Sequence, residues 1–147
     1  MDVSVREADF DAGAEIAALS AGDTEAGAVA SFVGLVRGDG EVAAMTLEHY
    51  PGMTEQALAD IVAQARTRWD LRRVRVIHRI GRLLPGERIV FVGVASSHRH
   101  DAFAACAFIM DYLKTQAPFW KKEETAQGAR WVDARESDDL AAARWRK

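Results

Sequence analysis

Asp111-Tyr112-Leu113-Lys114-Thr115-Gln116-Ala117-Pro118-Phe119-Trp120-Lys121-Lys122 holds a complete change of backbone conformation. Its first half closes an apolar helical stripe made of Phe103, Cys106, Ala107, Met110 and Leu113. Pro118 cannot extend that helix, and it biases Ala117 towards extended backbone. Lys114 is therefore expected on the last helical turn, with Lys121 and Lys122 on a strand that leaves it. Lysines suit a helix C-terminus because they complement the macrodipole, so a solvated helix end is one reading. Phe119 and Trp120 beside two amines supply the other, an aromatic wall with a positive rim.

Working outward, the helix starts near Ser96 or Ser97, either of which can cap it. Before it lies Ile89 to Ala95, a short apolar run with the look of a deeply buried strand. Leu84-Pro85-Gly86-Glu87 is a turn, and a strand through Val74 and Val76 runs up to Gly81. An earlier helix opens at Thr54 and carries Ala57, Leu58, Ile61, Val62, Ala65 and Trp69 on one stripe. Towards the N-terminus, Val42 to Tyr50 alternates as a strand, and Gly27 to Val36 reads as a strand buried on both faces. Val3 and Val5 mark a first strand, and Phe10 to Leu19 a first helix. After Pro118, Phe119 to Glu124 and Arg130 to Val132 form a hairpin around Gln127-Gly128, and Ser137 to Trp145 a final short helix. The order predicts an α+β domain in which two main helices cover one mostly antiparallel sheet.

The chain of 147 residues fits a single domain, residues 1–147, and is long enough to bury a core. With 49% hydrophobic and 28% charged residues it has the composition of a soluble globule. Its net charge of -3 argues against nucleic-acid binding, so a basic cluster is expected to serve a small anion. Cys106 stands alone, which excludes an internal disulfide. The N-terminus is unlike a signal peptide, and no run reaches the ~18 apolar residues of a membrane span, so the expected compartment is the cytoplasm.

A second cluster of interest is Ser97-His98-Arg99-His100-Asp101. Two potential cations in a helix's first turn oppose the dipole unless something negative lies near. Asp101 or a bound phosphate would each serve. His98 and His100, two apart on a helix, point in different directions and lack a third ligand, so no metal is expected. Cys106 sits on the apolar stripe as core. Arg37, at the end of a strand and beside Gly38 and Gly40, is a further candidate anion contact. The polar strand ends Glu48-His49-Tyr50 and His78-Arg79-Ile80-Gly81 read first as structural pairs.

Taken in order, Leu47 to Met53, Val76 to Gly81, the Ser97-His98-Arg99 turn and Tyr112 to Lys122 resemble the large, catalytic subunit of molybdopterin synthase. The likeness runs from about Gly27 to Trp145, and Ala117 to Lys121 is its most specific part. The resemblance implies an α/β hammerhead fold and a sulfurtransferase of molybdenum cofactor biosynthesis. Its partner would be a small ubiquitin-like sulfur carrier whose C-terminal Gly-Gly thiocarboxylate threads into a pocket. Its substrate would be cyclic pyranopterin monophosphate, which receives two sulfurs as the dithiolene of molybdopterin. Large subunits would form a homodimer inside a heterotetramer, with no cofactor, nucleic acid or membrane involved. Motif by motif, the catalytic lysines fall on Lys114 and Lys121, and the substrate-binding residues on Phe32, Arg37, His98, Arg99 and Arg135. The loop from Arg37 to Glu41 is short for this family, so its closure over substrate is expected to differ.

One consequence is geometric. His98 and Lys114 are sixteen positions apart on one predicted helix, about 24 Å at 1.5 Å per residue. They can serve one substrate only if His98 and Arg99 come from a second protomer. Two other classes remain open on residues alone: a lysine Schiff-base enzyme, and a non-catalytic anion-binding adaptor.

Overall fold

The computed structural model describes residues 2–38, 40–132 and 136–146. Its elements run β1 (Val3–Arg6), α1 (Ala12–Ser20), β2 (Ala28–Leu35), β3 (Val42–His49), α2 (Met53–Arg68), β4 (Leu71–Arg79), β5 (Gly81–Leu83), β6 (Arg88–Ser96), α3 (Arg99–Gln116), β7 (Phe119–Thr125), β8 (Gly128–Val132) and α4 (Glu136–Ala143). The expected α+β class holds, but the strands form two four-stranded sheets where one was expected.

The first sheet has the order β1-β4-β6-β2, antiparallel except for the β1–β4 pair. Alternation along its inner strands feeds two separate cores. Val74, Val76, Val90, Val92 and Val94 face α2 and α3, while Ile77, Phe91 and Ala95 face Phe10 and Leu19 beside α1. Burial on both faces explains the unbroken apolar run of β6. Gly93 is required where α1 comes closest, because a Cβ there would lie 2.5 Å from Leu19 Cδ1.

The second sheet, β5-β3-β7-β8, is wholly antiparallel. The chain passes into it at Gly81, whose φ of 84° suits glycine, and a Cβ there would sit 2.7 Å from Glu7 Oε1. That corner makes β5 a separate short strand, where the sequence reads as the end of one long one. Met45, Leu47 and Leu83 of this sheet join the core beneath α2 and α3.

Two further expectations are corrected. β2 is an edge strand, and Val29, Phe32 and Leu35 are exposed on it, so it is not buried on both faces. The buried stripe of α3 is Ala102, Ala105, Cys106, Phe108, Ile109, Tyr112 and Leu113, which leaves Phe103 outside.

Candidate functional site

The transition at Pro118 sets the site. α3 keeps Lys114 in its last turn, and Ala117 is extended (φ -84°, ψ 135°), as the following proline demands. Thr54 secures the junction. Its buried hydroxyl donates to the Pro118 carbonyl (3.1 Å) and accepts from Tyr50 N–H (3.0 Å). Thr54 therefore is not the cap expected of it. The N-cap is Gly52, whose N–H is taken by Glu55 Oε1 (2.9 Å).

β7 lies between β3 and β8, with Leu47, Lys121 and Val132 on one rung. Alternation turns Phe119, Lys121 and Glu123 towards a cavity of about 400 Å³, which Lys114 borders from α3. Lys122 faces the opposite side, with Nζ 5.1 Å from the centre of the Trp131 ring. Arg37 enters the cavity from beyond β2, His78 from β4 and Asp138 from α4. α4 is fastened to α3 through Asp111, which accepts from Trp145 Nε1 (2.7 Å) and pairs with Arg144 (2.9 Å). The Trp145 ring meets Trp69 and Phe108 edge-on. Leu47, Leu113 and Ile89 supply apolar lining.

His78 is 5% exposed and stacks on Phe119, with ring centres 3.9 Å apart and planes at 22°. Its Nδ1 is 2.8 Å from the Arg79 carbonyl oxygen. Burial pulls its pKa down to about 4; the bond to that carbonyl opposes the fall, and Lys114 and Lys121 add to it. The imidazole is thus neutral at pH 7. Three cationic side chains then face two carboxylates across the described lining, a positive balance in an acidic protein.

The structure brings together Lys114, Lys121 and Arg37 of the expected residues, and separates the rest. Phe32 is half-exposed on the β2 edge, opposite Val92, and is not part of the cavity lining. His98 is the N-cap of α3 and Arg99 its first residue, both exposed at the far end of an unbroken helix. His98 takes the capping position expected of Ser96 or Ser97, and Ser96 Oγ donates instead to the Asp70 carbonyl (2.9 Å). Arg135 lies outside the described residues. Sequence reasoning passed over His78, Glu123 and Asp138. A signal existed for His78, which continues the Val74-Val76 row and so places a polar ring on a core face.

Fold and cavity together define an α+β protein with an amine-lined cleft at the meeting of its two sheets. A family model described as "MoaE protein" matches residues 5–116. The chain is 66% identical over 146 residues to a molybdopterin synthase catalytic subunit of Ralstonia nicotianae, spanning 97% of this chain and 83% of that protein. It is 61% identical to the protein of the same name from Pseudomonas aeruginosa, over 99% of both. A solved structure described as a molybdopterin biosynthesis MoaE protein from Burkholderia ambifaria superposes with a TM-score of 0.86 at 58% identity, covering 98% of this chain and 97% of that one. The chain belongs to the MoaE protein family. Among the described residues no helix is long and apolar enough to cross a membrane.

Proposed function

We propose that this chain is the catalytic subunit of a cytoplasmic molybdopterin synthase. The observation that carries the reading is the placement of Lys114 and Lys121 on one cavity from two different scaffolds. A small ubiquitin-like subunit presents its C-terminal thiocarboxylate, and cyclic pyranopterin monophosphate is the acceptor. Both are anions, which fits the positive balance of the cleft. The thiocarboxylate sulfur attacks the pterin side chain and displaces an oxygen, whose developing charge a lysine ammonium stabilises; water then cleaves the resulting thioester, leaving the sulfur on the pterin and a carboxylate on the carrier. Because the sulfur arrives on the partner, the chain needs no nucleophilic cysteine, and Cys106 is buried with its thiol pKa pushed up to about 11.

Phe32, Arg37, His98, Arg99 and Arg135 are proposed to hold substrate, with His98 and Arg99 contributed by a second protomer. Support for a homodimer comes from the exposed apolar side chains Val29, Phe32 and Leu35 on an unpaired edge strand. Mixing the protein with a thiocarboxylated small subunit and the pterin precursor tests the reading. Dithiolene product is expected, and its absence with a folded, partner-bound protein would refute it.

A further inference from the structure

Among the described residues His78 is the one side chain lining the cleft that is at once polar and more than nine-tenths buried, and sulfur transfer as set out assigns it no part. Its surroundings fix its chemistry. A carbonyl can only accept, so the 2.8 Å contact with the Arg79 oxygen places the ring proton on Nδ1. The neutral ring then carries its lone pair on Nε2. Phe119 covers one face of the ring, and Nε2 has no hydrogen-bond partner among the described residues. The ring borders the cavity.

We propose that His78 is a positioning residue for the lysine pair: its Nε2 lone pair accepts an N–H from a lysine ammonium in the cleft and aims that ammonium at the reacting oxygen. The role rests on the sulfur-transfer reading and deepens it. A carboxylate at this place would also orient the ammonium, but it would cancel the charge that attracts two anionic substrates. A neutral imidazole orients without cancelling. Burial and the two nearby amines keep it neutral through the working pH range, so it does not compete for the proton. Its stack on Phe119, two residues before Lys121 on the same face of β7, ties the acceptor to the strand carrying one of its donors. Among the described residues the charged groups lining the same cavity are Lys114 from α3, Lys121 and Glu123 from β7, Arg37 and Asp138.

His78→Phe keeps the aromatic stack and deletes the acceptor, whereas His78→Gln sets an amide oxygen near the place of Nε2. In single-turnover sulfur transfer with the thiocarboxylated small subunit, His78→Phe is expected to be about 10- to 100-fold slower, the size of one lost hydrogen bond to a charged group. Half-saturation for the small subunit stays within about threefold, and His78→Gln recovers most of the rate, as one acceptor replaces another. The side-chain ¹⁵N spectrum of the native protein is expected to show the Nδ1–H tautomer at pH 7. An Nε2–H tautomer, a native rate in His78→Phe, or equally slow transfer by both variants would each overturn the proposal. The tautomer is read on the native protein, so the question is decided even if a variant fails to fold. A native protein that transfers no sulfur refutes the functional reading, whereas a wrong tautomer in a protein that does transfer sulfur refutes the role of His78 alone.

Discussion

Lowering the pH from 7 to 5 is expected to destabilise the native protein by about 2 kcal/mol more than the His78→Gln variant. The imidazole titrates near 6.5 in the unfolded chain and at about 4 in the folded one. The unfolded state therefore takes up the proton first as the pH falls. The contribution of His78 is complete above about pH 6.5 and is lost progressively towards pH 4. Across the whole window it is worth up to about 3 kcal/mol, at roughly 1.4 kcal/mol per pKa unit. For a chain of this length the unfolding entropy is about 0.3 kcal/mol/K, so the extra fall in Tm is about 6 °C. Asp9, Asp23 and Glu124 also have pKa values held below the ordinary carboxylate range, by hydrogen bonds from Arg88, Arg72 and Arg82 respectively. They titrate alike in both proteins and drop out of the difference. Thermal melts followed by circular dichroism between pH 4.5 and 7.5 give the two curves. If they run parallel through pH 5 to 6.5, His78 is not the buried neutral group inferred from its position.

Lys121→Ala is expected to reduce dithiolene formation by at least about a hundredfold, and Lys122→Ala by less than about threefold, as one faces the cleft and the other Trp131; equal losses in a product assay would indicate bulk charge. Mixing Lys114→Ala with His98→Ala chains, with free exchange, is expected to restore about a quarter of wild-type sites, because half the dimers are mixed and each carries one intact site. Activity at the mutant baseline after verified exchange would rule out a shared site. Thr54→Val is expected to cost about 1–3 kcal/mol in urea unfolding, by stripping the hydroxyl from a fully buried junction that holds Tyr50 and Pro118. A stability within about 0.5 kcal/mol of native would show that the junction does not depend on it.

The elements were legible because most of them bury one face, and period and punctuation reveal that. The order from β1 to α4, the hairpin at Gly128 and the strand beginning after Pro118 all follow from local pattern. What failed was information that pattern does not hold. The apolar run of β2 reads as interior, yet such a run looks the same whether its own core or another surface covers it. The split into two sheets depends on the turn at Gly81, and a three-residue strand is too short to have a period. Phe103 misplaced the α3 stripe by one position, since an aromatic residue counts as core in any sequence reading. Lys114 and Lys121 were found through their motif, and Arg37 through its glycine-rich neighbours. His78 carries one local mark, a polar ring continuing the buried Val74-Val76 row, but alternation tells only that it points inward and not that a cavity lies there.

Lys114 is held by a helix resting on the first sheet, and Lys121 by a strand in the middle of the second. Although only six residues separate them in the chain, the distance between the two amines is governed by how those halves of the protein rest on each other. Damage at that seam is then a misalignment of intact parts. Changes at Phe119, Thr54 or Leu47, none of which carries a functional amine, should leave substrate binding nearly whole while the reaction slows. Inherited or engineered loss of activity in this chain should therefore map along the seam as well as onto the lysines.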